Sequence, residues 1–192
     1  AQHLTHREWL VQSFRDMRLA PAFGERIKNT EQQASDSLFV SEMLAINPDR
    51  HACAEHLLGL GFGLLKKGDM VQAMYRFNQA YLMEPGNTGI RRGYGAFFVA
   101  LDRPEEAIAE YQKGLALDSN AVPLLLDLVG VQLSMYHAWQ GTETQKAMRL
   151  LEAATMHMER ATRLEPSNGL ARYKLAVCHT LRGDCSAAWN AY

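Results

Sequence analysis

Residues 54–87 can be laid over residues 88–121 without a gap, a self-similarity with a period of 34 residues. A fixed period of that length constrains a chain more than any composition can, because each unit has an apolar side that only the next unit can cover. In the first unit Leu57, Leu60, Gly61 and Leu64 occupy places 4, 7, 8 and 11, and Ala73, Phe77, Ala80 and Pro85 occupy places 20, 24, 27 and 32. The second unit places Tyr94, Gly95 and Phe98 at 7, 8 and 11, Ala107 and Tyr111 at 20 and 24, and Gly114 at 27. Both halves of each unit carry apolar residues at helical spacing. Small residues at places 8, 20 and 27 let helix backbones approach, and the large ones fill the space between. Lys67-Gly68-Asp69 and Asp102-Arg103-Pro104 break the helices midway, and Glu84-Pro85-Gly86-Asn87 closes the first unit.

Gly61, Ala73, Phe77, Ala80 and Pro85 are the residues on which the chain resembles the tetratricopeptide-repeat family. The resemblance implies an all-α fold, a right-handed superhelical solenoid of antiparallel helix hairpins. A third unit opens at Val122 and closes on Glu165-Pro166-Ser167-Asn168, with Ala154, Met158 and Ala161 at places 20, 24 and 27. It spans 122–168, 13 residues more than the period, so its two helices are expected to be long: Val122 to Trp139, a turn at Gln140-Gly141-Thr142, then Glu143 to Leu164. Ala147, Leu151, Ala154, Met158 and Ala161 are expected to pack on Leu128, Leu133, Met135 and Tyr136. A fourth unit, 169–192, stops inside its second helix, as either a shortened capping helix or an array continuing past Tyr192 would.

Upstream, Ile46-Asn47-Pro48 resembles another unit end, which suggests a degenerate hairpin over 30–53 with Asp36 where the family has a small residue. Thr5-His6-Arg7-Glu8 reads as a capping box opening a helix with Trp9, Leu10, Phe14 and Met17 on one side, broken near Pro21 and Gly24. Residues 1–29 are therefore expected to cap a solenoid running over 30–192.

The family lines its concave groove with places 2, 5, 9 and 12 of each first helix, which fall on one side of a helix. Carried over residue by residue, this gives a groove of Leu58, Phe62 and Leu65, then Arg92, Ala96 and Val99, then Leu126, Gly130 and Leu133, then Tyr173 and Val177. Members that grip a terminal carboxylate use Lys and Asn at places 5 and 9. Here those places hold Leu58 and Phe62, and again Leu126 and Gly130, so the resemblance implies an apolar or amphipathic protein segment as the occupant, with Arg92 fixing register through one acidic partner residue. The same apolar residues are also what a groove filled by the chain itself would show. The tip of the long hairpin, with Tyr136, His137 and Trp139, offers a second contact if those aromatic rings are exposed.

The formal net charge of −1 supplies no field to neutralise phosphates, so nucleic acid is not the expected partner. No apolar run reaches the roughly 18–20 residues that span a bilayer, and Ala1-Gln2-His3-Leu4 has no signal-peptide pattern, so no direct membrane insertion is expected. Three cysteines, Cys53, Cys178 and Cys185, suit a reducing cytoplasmic setting over a disulfide framework, with a periplasmic one open if a leader precedes Ala1.

No catalytic, metal or cofactor site is expected. His51-Ala52-Cys53-Ala54-Glu55-His56 holds several possible zinc ligands, but on a helix they do not converge. The glycines of Gly59-Leu60-Gly61-Phe62-Gly63 follow no strand and precede no Lys-Ser or Lys-Thr pair, so they serve packing and not phosphate binding. The expected function is a non-catalytic scaffold that holds a partner protein, in a setting such as bacterial secretion, pilus or envelope assembly. A dedicated chaperone for an exported protein and a regulatory domain of a larger enzyme or signalling protein are the alternatives.

Overall fold

The computed structural model describes residues 4–191, and these form ten α-helices and no strand. In chain order they are α1 (His6–Arg15), α2 (Thr30–Ile46), α3 (Arg50–Lys66), α4 (Met70–Met83), α5 (Thr88–Ala100), α6 (Pro104–Leu117), α7 (Val122–Trp139), α8 (Thr144–Leu164), α9 (Gly169–Leu181) and α10 (Cys185–Ala191). The chain divides into two compact units, Ala1–Arg103 and Pro104–Tyr192, each with its own packing.

In the first unit α3 and α4 are the repeat's hairpin, and α5 packs on both. Asp49, Asp69 and Asn87 cap the three helices by accepting bonds from first-turn amides. The centre of the unit is the buried ring of Phe77, which meets the Tyr94 ring edge to face at 6.4 Å. A β-carbon on Gly61 would stand 2.5 Å from that ring, and one on Gly93 would stand 2.7 Å from it. Absence of a side chain at both positions is therefore what lets α3 and α5 close on α4. The turn after α4 is tied back to α3: Arg50 donates to the Met83 carbonyl at 3.1 Å, and Asn87 donates to Glu55 and Glu84 at 2.8 Å.

The N-terminal segment starts as expected, with the capping box of Thr5 and Glu8 fully formed. Its buried side differs from the expected one. Trp9 turns inward, meeting Phe97 and Phe98 of α5 edge-on at 6.2 and 5.4 Å, while Phe14 is 79% exposed and Leu10 half exposed. The indole donates to the Leu19 carbonyl, which fastens α1 to two 3₁₀ turns, Met17–Leu19 and Pro21–Glu25. In the second turn Ala22, Phe23, Gly24 and Glu25 all have positive φ, from 49 to 65°. Left-handed backbone costs a non-glycine residue about 1–2 kcal/mol, so tertiary contacts must hold this turn. Phe23 and Ala22 are buried, and the Lys28 ammonium lies 3.1 Å from the centre of the Phe23 ring.

Residues 30–53 are not a hairpin. They form one continuous helix, α2, and the first residues of α3, because the Asn47-Pro48-Asp49 turn ends one helix and Asp49 caps the next. None of the α2 residues is buried.

In the second unit α7 and α8 form the long hairpin that the repeat spacing predicts, and α9 and α10 pair after it. Ala147, Leu151, Ala154, Met158 and Ala161 bury the inner side of α8 against Val122, Leu125, Val129 and Tyr136 of α7, joined by Ala171, Leu175 and Cys178 of α9. Leu133 packs against this cluster as expected, while Leu128 and Met135 are buried outside it. Arg160 of α8 donates to Ser119 and Asn120 at 2.8 and 2.9 Å, pinning the turn before α7.

Candidate functional site: the first-helix faces of the two units

In the first unit, residues 58, 62 and 65 of α3 and 92, 96 and 99 of α5 repeat a four-then-three spacing, so each set lies along one side of its helix. The structure treats them unequally. Leu58 is only 3% exposed, and its Cδ1 fills the space where Gly89 lacks a side chain: a β-carbon there would stand 2.8 Å from it. Its expected place on an open groove is corrected accordingly, because the start of α5 covers it. Phe62 is half-buried, its ring edge-on to Phe77 at 5.2 Å, and the Arg92 guanidinium lies 5.1 Å from the centre of the Phe62 ring. Arginine over an aromatic ring joins a cation to a π system, which holds the guanidinium in place. Leu65 and Ala96 are half-buried, and Val99 is 48% exposed.

In the second unit Leu126, Gly130 and Leu133 of α7 are half-buried, as is Val177 of α9, and Tyr173 is 55% exposed. Leu126 and Leu133 also press on the hairpin cluster, so part of each side chain is already used by the protein. The Lys174 ammonium sits where a side chain at Gly130 would begin, 3.4 Å from an added β-carbon. Leu170, one turn before Tyr173 on α9, is exposed as well.

The expected second contact at the hairpin tip is corrected in one member. Tyr136 is 8% exposed and belongs to the buried cluster between α7 and α8. His137 is exposed beside it, with ring centres 5.3 Å apart, and Trp139 is half-buried under the Lys146 ammonium.

Among the described residues no three His, Cys, Asp or Glu side chains stand together to hold a metal, and no helix is long and apolar enough to cross a membrane. The His51 imidazole instead bonds the Glu84 carboxylate at 2.8 Å. That hydrogen bond raises the pKa of His51 and lowers that of Glu84 from their ordinary values. A concavity that no sequence spacing announced lies in the first unit, between the N-terminal segment, α2 and α4.

The tetratricopeptide-repeat family profile matches residues 64–135. No curated protein matches the chain. Solved structures share the fold at low identity. A thermophilic tetratricopeptide-repeat protein of Thermus thermophilus is 17% identical with a TM-score of 0.60, over 72% of this chain and 70% of that one. The MamA structure is 16% identical with a TM-score of 0.55, over 86% and 91%. The first repeat domain of Spaghetti (RPAP3), bound to the HSP90 peptide SRMEEVD, is 18% identical with a TM-score of 0.53, over 69% and 95%. With its helical hairpins and these neighbours, the chain has the tetratricopeptide-repeat fold.

Proposed function

We propose that the chain holds an apolar or amphipathic segment of a partner protein on the first-helix faces of its hairpins. The observation that carries this reading is the solvent exposure of Val99 in one unit and of Leu170 and Tyr173 in the other, on the helix sides that the family uses for its partners. Leu170 and Tyr173, one turn apart on α9, offer a larger apolar contact than a residue exposed singly. Arg92, stacked over Phe62, brings positive charge to this side and suits an acidic residue in the segment. The RPAP3 domain takes an acidic HSP90 peptide, but this chain has Leu58 and Phe62, and Leu126 and Gly130, at the places where the family's carboxylate-gripping members carry Lys and Asn. An apolar occupant is the reading those residues support.

The test is affinity capture from the source organism's lysate with the wild type and a Val99→Asp, Tyr173→Asp double variant. Both substituted side chains are substantially exposed, so circular dichroism should show unchanged helices. A partner captured by the wild type and lost by the variant supports the reading. Equal capture by both moves the contact off these faces and overturns it.

A further inference from the structure

We infer that the cleft of the first unit, walled by the N-terminal segment, α2 and α4, is a second binding site, which takes an acidic stretch of a partner polypeptide. Its carboxylates would meet Arg15 and Arg26 and an apolar side chain would seat between Met17, Phe39 and Leu82. This site is independent of the first-helix faces, shares no residue with them, and differs from them in chemistry.

The cleft has a volume of about 790 Å³, within the range of built ligand sites, and opens to solvent, which suits a length of chain better than an enclosed small molecule. Its charge is one-sided. Four cations and two carboxylates line it: Arg15, Arg18, Arg26 and Lys28 against Asp16 and Asp36. Both carboxylates are already engaged. Asp16 holds Arg18 at 2.8 Å and accepts a bond from the Tyr75 hydroxyl at 2.8 Å, and Asp36 holds Lys28. Burial works against the charge of Asp16, but bonds from Arg18 and Tyr75 outweigh it and lower its pKa, so this carboxylate stays ionised and committed.

That leaves Arg15 and Arg26 with no ion pair among the described residues. Both line the cleft, and Arg26 donates to the carbonyl of Phe14, the residue before Arg15, at 3.1 Å, which ties its side chain to the end of α1. Two guanidiniums without an ion pair in the lining of one cleft offer planar forks that match carboxylates. The rest of the lining is mixed, with Met17, Phe39 and Leu82 half-buried and Ser35 and Gln79 beside them. An acidic residue next to an apolar one answers both parts of this surface.

The probe is a fluorescein-labelled synthetic peptide in which Asp and Glu flank a single Phe, read by fluorescence anisotropy against the full chain. Its counterpart carries Asn and Gln in place of the acids. The acidic peptide should bind, weaken as salt is raised, and lose about tenfold or more in affinity both in its neutral counterpart and in an Arg15→Glu, Arg26→Glu variant. The milder Arg15→Gln, Arg26→Gln variant should show an intermediate loss, which separates charge from any failure to fold. Val99→Asp, Tyr173→Asp should leave this binding unchanged, so failure of the first-helix reading and failure of this one are distinguishable. Equal affinity for the neutral peptide, or full binding by the charge-reversed chain, overturns the site. So does sedimentation with phosphatidylserine vesicles through Arg15 and Arg26 in the absence of peptide binding, which would make it a lipid surface.

Discussion

The ring of Phe77 lies so close over Gly61 that a β-carbon on the glycine would stand 2.5 Å from its Cε1 atom. The ring is fully buried between α3 and α5 and cannot swing away. Gly61→Ala should therefore destabilise the protein by about 1–3 kcal/mol through overpacking, and Gly93→Ala by a similar amount. Gly59 and Gly63 flank Gly61 on the same helix, yet a side chain at either meets nothing within 4 Å. Alanine at those two positions should stabilise by about 0.5–1 kcal/mol through helix propensity. Urea unfolding of the four variants tests the opposite signs, and a common sign for all four would contradict this packing.

Asn78 is a buried amide that joins the N-terminal segment to the repeat. Its Nδ2 donates to the Arg18 and Ala20 carbonyls at 2.7 and 2.9 Å, and its Oδ1 accepts from the Tyr94 hydroxyl at 2.6 Å. Asn78→Leu would strand these partners and should cost at least about 2 kcal/mol. Limited proteolysis should then cut within residues 15–29 faster than in the wild type, while α7 and α8 keep their hydrogen-exchange protection. Unchanged cleavage would show that the segment is held by its apolar contacts alone.

The three thiols should separate cleanly. Cys185 is exposed, whereas Cys53 and Cys178 are buried, and burial pushes the Cys178 thiol above its ordinary pKa. The thiolate is the reacting form, so a disulfide reagent such as Ellman's should titrate one thiol in the native protein and three in denaturant. Rapid reaction of all three under native conditions would refute the burial of α9 against α8.

Two histidines should give opposite pH dependences of stability. His51 has a raised pKa through its bond to Glu84, so its contribution is complete below the unfolded value of 6.5 and is lost as pH rises through the folded one. His157 has a pKa lowered by burial, with the nearby Arg160 charge adding to the effect, and its Nδ1 lies 3.2 Å from Gln132 Oε1. The unfolded chain then holds the proton more readily, so stability falls as pH drops from 6.5 through the folded value. In denaturant midpoints measured against pH, His51→Gln should flatten the profile above 6.5, and His157→Gln should flatten it below.

The hairpin at 54–87 and the long hairpin of α7 and α8 were legible in the sequence because each is a local pattern. Helical spacing, capping residues such as Thr5 and Asn87, and the small residues at Gly61 and Ala73 act within one turn or across one hairpin. What lies beyond one hairpin was not legible. Leu58 reads as an open groove residue, yet Gly89 lets it be covered. Tyr136 reads as a tip aromatic, yet it is buried in the cluster between α7 and α8. Nothing in the repeat spacing marks Asn78, since its carbonyl partners lie 58 and 60 residues upstream.

The same division applies to the N-terminal hundred residues. Sequence alone determined that α1 begins at its capping box and that 54–87 folds as a hairpin, because hydrogen bonds and apolar spacing inside a helix are set by neighbours along the chain. Only the tertiary structure decided that Trp9 and not Phe14 is buried, and that Arg15 and Arg26 share a cleft with Phe39 and Leu82. Those outcomes depend on which distant surface each side chain meets, here Phe97, Phe98 and the outer side of α4, and no local spacing encodes that meeting.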